Sequence, residues 1–461
     1  MKPSDLNSLK GIVGKEHVST AIEDLICHSY DATKQMALPA AVVRPATAQE
    51  VSGVLAHANE HRIPVYPMGA ASGLTGGAVP VKGGIVLDMT RMNRIVAIDA
   101  QNLVAVVEPG VVCAEFQAAV EEVSLFYPPD PASSEFSTLG GNVAECAGGL
   151  RGMKYGVTRD YILALEAVLP SGEIIHTGSR AMKNVSGYDL TRLLVGSEGT
   201  LCVFTQMIVR LVPLPECIRT VLAYFAGFDD AARTVSKIIE ARIVPRALEF
   251  MDEDTLEAVR DYGEFEFPPE AQAALLIEVD GDDAVTQRET ETVATICRDN
   301  GCSTVSVAIS AENREELWKT RRAVSPALYN LAPKRKIAED VCVPRSRLAD
   351  LLREIKRIEQ EKSLRIACFG HAGDGNVHVN FLVESDTPEV VRRTEEGVEE
   401  LLRTVVSYGG SISGEHGIGT TKTEYLGLEI PPRELELMRQ IKQIFDPNGI
   451  LNPGKLFPDT D

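Results

Sequence analysis

Two short glycine-rich fragments hold the residues most capable of chemistry. The first is Gly370-His371-Ala372-Gly373-Asp374-Gly375-Asn376-Val377-His378-Val379-Asn380, with two histidines seven residues apart across a turn. The second, Ser413-Gly414-Glu415-His416-Gly417, places a carboxylate and an imidazole between glycines. Two imidazoles and one carboxylate suffice to hold a divalent ion, with one histidine left over. A lone His-x6-His spacing is weakly specific, and many such histidines are structural or surface residues. Here three of only eight histidines fall in two short fragments, which favours a site.

Positioning these groups requires a strand. From Val377 the side chains alternate, so His378 and Asn380 point one way while Val377 and Val379 pack the other. Val341-Cys342-Val343-Pro344 and an amphipathic helix over 346–362 lead into the stretch. Before them come strand-helix-strand units at 219–226, 229–241 and 246–251, then at 272–279, 283–300 and 303–308. Strands with helices on one face predict an α+β cap domain with a ferredoxin-like antiparallel sheet, not a doubly wound one. Between the later units, Leu317-Trp318-Lys319-Thr320-Arg321-Arg322-Ala323-Val324-Ser325-Pro326 and Lys334, Arg335 and Lys336 make a basic island in an acidic chain. This is either a solvated helix face or an anion pocket in which an arginine grips a carboxylate with two parallel hydrogen bonds.

The first half of the chain has a different character. A helix over 47–61 and a strand at Ile63-Pro64-Val65-Tyr66-Pro67 feed the loop Met68-Gly69-Ala70-Ala71-Ser72-Gly73-Leu74-Thr75-Gly76-Gly77-Ala78. Side chains this small leave backbone N–H groups open to a pyrophosphate. A tight connection alone would explain two glycines, but not four together with Ser72 and Thr75. The loop has neither Gly-x-Gly-x-x-Gly nor a following Lys-Ser/Thr, so it is not a Rossmann or P-loop fingerprint. Strands at 84–89, 94–99 and 103–107 and a helix at 111–122 follow. An irregular stretch over 127–142 then runs into 147–151 and 154–160; loops of that length inside a domain are usually functional. Strands at 161–169, 173–176 and 206–212 end at Pro213-Leu214-Pro215. That break divides the chain into domains at 1–214 and 215–425, with a tail at 426–461, including a helix over 432–445, returning to the first domain.

The totals narrow the function. A chain of 461 residues exceeds one ordinary core, so two domains are expected. With 46 basic and 66 acidic residues the net charge is −20, which argues against nucleic acid and against unaided docking on an anionic membrane. No signal-like apolar segment opens the chain and no run of 18 uncharged apolar residues occurs. The expectation is a cytoplasmic protein without a transmembrane segment, peripheral to the inner membrane only through a partner. Nine cysteines without a Cys-x-x-Cys read as reduced thiols that cannot readily hold an iron-sulfur cluster, so electrons would pass to another molecule.

Taken together, the fragments resemble the flavoproteins of the vanillyl-alcohol oxidase and para-cresol methylhydroxylase fold, over about residues 38–461. Within that fold they are most similar to the FAD-dependent D-2-hydroxyacid dehydrogenases, the D-lactate dehydrogenase and glycolate oxidase flavin-subunit type. The resemblance implies a PCMH-type FAD-binding domain followed by a substrate cap. It implies non-covalent FAD lined by Pro67, Gly69, Ala70, Ala71, Ser72, Gly73, Thr75 and Gly76, by Pro129, Asp130 and Pro131, and by Ser137, Thr138, Gly140, Gly141 and Asn142. Gly148, Gly156 and Thr158 would join them, with Glu198, Gly199 and Val203 near the adenosine end. Met68 stands where arginine is common, Ala70-Ala71-Ser72 where Gly-Gly-Thr is common, and Cys202 replaces a usual glycine.

In the cap, the resemblance makes His371, His378 and Glu415 ligands of a divalent metal, zinc or else iron or manganese. His416 becomes the catalytic base, Arg321 the carboxylate anchor, and Ser325 and Asn380 substrate neighbours. The implied reaction takes a D-2-hydroxyacid, D-lactate or glycolate, to the 2-oxoacid by hydride transfer to flavin N5. An iron-sulfur subunit, an electron-transfer flavoprotein or a quinone would take the electrons, and a homodimer is compatible with the family. Lys334 and Lys336 compete for the lysine that hydroxyglutarate enzymes use, so D-2-hydroxyglutarate is the alternative substrate. A non-redox flavin enzyme of the same fold is another reading. A metal-dependent hydrolase could use the same His, His and Glu but leaves the 67–78 and 129–159 loops unexplained.

Overall fold

The computed structural model describes residues 1–458 except 264, 266 and 333, and the last three residues of the tail at 426–461 lie outside the described residues. The chain divides into two compact units, one of residues 1–149, 156–214 and 415–461, the other of residues 150–155 and 215–414. The sequence places the second boundary after 425, whereas it falls after Gly414. The reason is local: Glu198 accepts hydrogen bonds from the N–H groups of Ile418 (2.8 Å) and Gly419 (2.7 Å), and Thr75 O accepts from Thr420 N, so this segment is anchored in the first unit. The small exchange at 150–155 has a similar cause. Lys154 Nζ donates to Asp280 Oδ1 (2.5 Å) and the Tyr155 hydroxyl to Asp280 Oδ2 (2.8 Å).

In the first unit, Val18–Ser19, Ala41–Val43, Ile85–Asp88 and Val65–Met68 form a mixed sheet in that spatial order. The last three strands run parallel, and the helix Ala48–His61 is the crossover from Ala41–Val43 to Val65–Met68. Thr47 caps that helix through Glu50 N, and Val51, Val54, Leu55 and Ala58 form its buried face at helical spacing. A second, antiparallel sheet has the order Ile95–Asp99, Val104–Val107, Val203–Arg210, Ile162–Val168, Ile174–Gly178. The supposed irregular stretch over 127–142 ends in a helix, Leu139–Glu145, whose Thr138 cap accepts from Gly141 N; two glycines in its first turn hide it from propensity.

The second unit is a seven-stranded antiparallel sheet: Cys302–Ala308, Cys217–Phe225, Ala273–Gly281, Ala247–Asp252, Ile366–His371, Asn376–Val383, Arg335–Cys342. Helices cover both of its faces, not one as the pattern suggests. Leu222, Tyr224, Ala367 and Phe369 pack against the helices Glu253–Tyr262 and Ala311–Leu331 on one side. On the other, a Cβ at Gly397 would lie 3.3 Å from Phe381 and 3.6 Å from Ile358, so the helices Leu348–Lys362 and Pro388–Ser407 close over that face. Covered on both sides, Asn376–Val383 is buried throughout.

Candidate active site

Both units carry a concentration of functional groups at the positions the sequence singled out, and the two are built by opposite means. In the first unit the strand Val65–Met68 delivers the loop that begins at Gly69 into a pocket. Its walls include Pro67, Gly69, Ala70, Ala71, Ser72, Gly73, Pro131, Thr138, Gly140, Gly141, Asn142, Gly148, Glu198, Gly199 and Val203. All of these were expected from the sequence. Thr75, Gly76, Pro129, Asp130, Ser137, Gly156 and Thr158 do not line it. Two of them support it from behind: Thr75 Oγ1 donates to His416 O (3.1 Å) and Thr158 Oγ1 to Ala147 O (2.7 Å), both lining residues; Gly76 O accepts from Lys455, and Pro129 O from Gln117.

Close approach explains two of the glycines. A Cβ on Gly69 would lie 2.1 Å from Thr138 Oγ1, and one on Gly140 would lie 2.5 Å from Pro109 Cβ. Any larger residue would push the loop and the helix apart. The pocket therefore presents backbone and small side chains to a ligand. Asn452, absent from the sequence-derived set, adds a polar group to the wall. Its Nδ2 donates to Gly77 O (3.1 Å) and Glu198 O (2.7 Å), while its Oδ1 is buried without a partner. A ligand hydroxyl or amine would satisfy that acceptor. These features fit a long, hydrogen-bonding dinucleotide.

Glu145 also lines the pocket and was missed. Burial, then the nearby charge of Glu198, pushes its carboxyl well above the usual range. Burial pushes Glu198 upward too, opposed by the two N–H donors of Ile418 and Gly419. The Glu198 carboxylate is thus engaged in holding the chain that presents Glu415 and His416. Both of those residues line the same pocket, and the two side chains approach within 4.0 Å of each other.

The second unit builds with charge. Antiparallel register pairs Glu249 with His371 and His378 with Asp340. His371 pairs with Asn376, two residues before His378, so both imidazoles emerge on one face with ring centroids 5.2 Å apart. His371 Nδ1 lies 2.6 Å from Glu249 Oε1, and His378 Nδ1 lies 3.7 Å from Asp340 Oδ1. A carboxylate on Nδ1 fixes the His371 tautomer and leaves Nε2 as the basic atom, the arrangement that metal-binding histidines share. Glu249 is fully buried. Burial would raise its carboxyl, yet the charges of His371 and Arg321 outweigh that and hold it below its ordinary value.

Arg321, on the helix Ala311–Leu331, grips Glu249 Oε2 with Nε (2.9 Å) and Nη2 (2.8 Å) and lies over the Phe369 ring. Two of its nitrogens thus meet one oxygen of the protein's own carboxylate, not the two oxygens of the parallel grip expected for a substrate. Ser325 follows one turn along the helix and is exposed. Asn380 shares the histidine face, and its Nδ2 donates to Ala367 O and His378 O, both at 3.2 Å. Arg322 turns to Glu315 on the surface instead.

Comparison with known proteins decides the family. Residues 39–178 match the family "FAD binding domain" and residues 214–456 match "FAD linked oxidases, C-terminal domain". The chain belongs to the FAD-linked oxidases. It is 44% identical over 447 residues to the glycolate oxidase subunit GlcD of Bacillus subtilis, covering 97% of this chain and 95% of that one. To a D-lactate dehydrogenase of Anaerostipes hadrus it is 35% identical, covering 98% and 97%. The fold is that of p-cresol methylhydroxylase, with a TM-score of 0.80 at 20% identity over 98% of this chain and 96% of the other. This FAD-linked oxidase is therefore a flavoprotein oxidoreductase with a PCMH-type FAD-binding domain and an α+β second domain. Among the described residues no helix is long and apolar enough to cross a membrane.

Proposed function

We propose that this FAD-linked oxidase converts a short D-2-hydroxyacid, D-lactate or glycolate, to the 2-oxoacid. The observation that carries the reading is that His416 lines the same pocket as the flavin-loop glycines, in a chain so similar to a glycolate oxidase subunit. FAD, when bound there, supplies the hydride acceptor at N5. No histidine occurs in the loops over 67–78 and 129–159, which supports non-covalent FAD, and His416, the only histidine among the described residues in that wall, is the group that takes the hydroxyl proton. Arg321 anchors the substrate carboxylate through Nη1, its guanidinium held in place by Glu249, while Ser325 and Asn380 bound the substrate.

His371 and His378 would hold a divalent ion, zinc or else iron or manganese, with Glu415 as third ligand; such an ion acidifies a bound hydroxyl. The Glu249–His371 contact supports this set. So does the chain path: Glu415 follows directly on Gly414, whose N–H donates to Asp340 Oδ2 (2.9 Å), beside His378. Electrons would leave to a partner, either an iron-sulfur subunit, an electron-transfer flavoprotein or a quinone.

The test is anaerobic mixing of the holoenzyme with D- and L-2-hydroxyacids while following the flavin band, near roughly 450 nm. Bleaching by D-lactate or glycolate is expected. Bleaching by D-2-hydroxyglutarate alone would transfer the assignment to that acid and to Lys336, whose ammonium lies 4.2 Å from the Tyr329 ring centroid. Bound FAD that no hydroxyacid bleaches would reject the dehydrogenase reading in favour of a non-redox flavin enzyme.

A further inference from the structure

A second group of metal-ligating side chains lies in the first unit, apart from every residue used above. The helix Ala48–His61 carries His57 and His61 one turn apart, so the imidazoles share a face, with ring centroids 4.2 Å apart. Asp5, on the helix Pro3–Val13, meets them; its Oδ1 lies 3.6 Å from His57 Nε2. One ligand atom from each of Asp5, His57 and His61 falls within 4.8 Å of the others.

Three details suit this group to an ion. His57 Nε2 is buried without a hydrogen-bond partner, and 3.6 Å is too long for Asp5 to serve as one. An orphaned ring nitrogen facing a carboxylate is unsatisfied as it stands. His61 Nδ1 donates to His57 O (2.9 Å), which fixes the tautomer and leaves Nε2 as a lone-pair donor. Asp5 Oδ2 accepts from Lys2 N (2.7 Å), which orients the carboxylate and leaves Oδ1 toward the histidines. Metal–ligand bonds of about 2.0–2.2 Å need tetrahedral ligand atoms roughly 3.4 Å apart, so side-chain adjustments of about an ångström close the set.

We propose that Asp5, His57 and His61 bind a divalent transition ion, zinc in the first instance, that clamps the helix Pro3–Val13 to the helix Ala48–His61. Two imidazoles exclude magnesium and calcium as the natural occupants. His61 is exposed, so water completes the coordination. The role is structural, since none of the three residues lines the flavin pocket.

The holoenzyme, stripped of metal and carrying His371→Ala and His378→Ala to silence the other candidate set, is titrated with zinc chloride by calorimetry and by thermal melting. One equivalent should bind and raise the Tm. Adding His61→Ala should weaken zinc at least about tenfold, the lower bound for loss of even an outer partner of a metal ligand, and cancel the Tm gain. Asp5→Asn should do the same; His61 lies at an exposed helix end, so its variant folds even if Asp5→Asn does not. In the otherwise unaltered enzyme, His61→Ala should leave turnover and FAD content unchanged. No zinc binding in the silenced protein, or binding indifferent to His61→Ala, overturns the proposal.

Discussion

The two units place functional groups by contrasting methods. The pocket of the first is made largely of what is absent: along the Gly69–Gly73 loop and the Thr138–Asn142 run side chains are small and the backbone comes close. The face of the second unit is made of what is present, a row of ionisable groups on neighbouring strands, each held by another. The first is sensitive to bulk and tolerant of charge-neutral exchange; the second should be the reverse.

The largest effect that could break this contrast is steric. Gly69→Val would drive a side chain into Thr138, and the purified protein is expected to lose its FAD and all activity; a normal ratio of flavin to protein absorbance would show that the loop has room to give. Next is His416→Ala, which should retain FAD but slow flavin reduction by about 10²-fold or more, read by anaerobic stopped flow. Reduction at the normal rate would remove His416 from the proton step. Glu249→Gln keeps size and removes charge, so it sharpens the other half of the comparison. Metal affinity is expected to fall by about 10- to 100-fold while FAD content is unchanged, measured by metal analysis after dialysis. Unchanged metal would detach Glu249 from His371.

The smallest effect concerns pH. Asp252 caps the helix Glu253–Tyr262, accepting from Thr255 N (2.9 Å) and Cys368 N (2.8 Å), and burial pushes its carboxyl up to about 7. An acid whose folded pKa is raised binds more protons in the native state, so stability falls as pH rises from about 4, the ordinary carboxyl value, towards 7. Asp252→Asn should flatten that slope in denaturant melts across the window. A slope that persists would place the titration elsewhere.

Much of this was legible in the chain. The loop from Gly69 to Gly73 and the Thr138–Asn142 run announced a ligand because so many small residues exceed what a tight connection needs, and fifteen of the expected residues do line the pocket. The seven that do not line it fall in or near the same stretches of sequence, which record neighbourhood but not which side of the backbone faces the cavity. Glu145 and Asn452 were missed for another reason: Glu145 lies between the two glycine pairs on a helix the sequence did not show, and Asn452 lies in the C-terminal tail, far along the chain from the loop it joins. In the second unit the shared face of His378 and Asn380 followed from strand alternation, but Glu249 did not, because its partner His371 lies 122 positions away. The helix Pro388–Ser407 could have been found, since Thr394, Gly397, Val398, Leu401, Leu402 and Val405 keep helical spacing. The helix Ala311–Leu331 has a short buried stripe and a proline inside, and its charge drew attention to function over periodicity.

The chain's return at Glu415 has a consequence for biogenesis. Asn452 closes a wall of the pocket, Leu451 pairs with Val65, and Lys455 Nζ donates to the carbonyls of Gly76 (2.5 Å) and Val79 (2.6 Å), so the first unit stays open until these residues arrive. On a translating ribosome all of residues 215–414 must be made first. Domains made of one continuous stretch can fold as they emerge, whereas this one must wait. Cofactor capture should therefore be a late event in synthesis, and the time before the Asn452 wall arrives is the interval in which a cell would need to protect the open pocket.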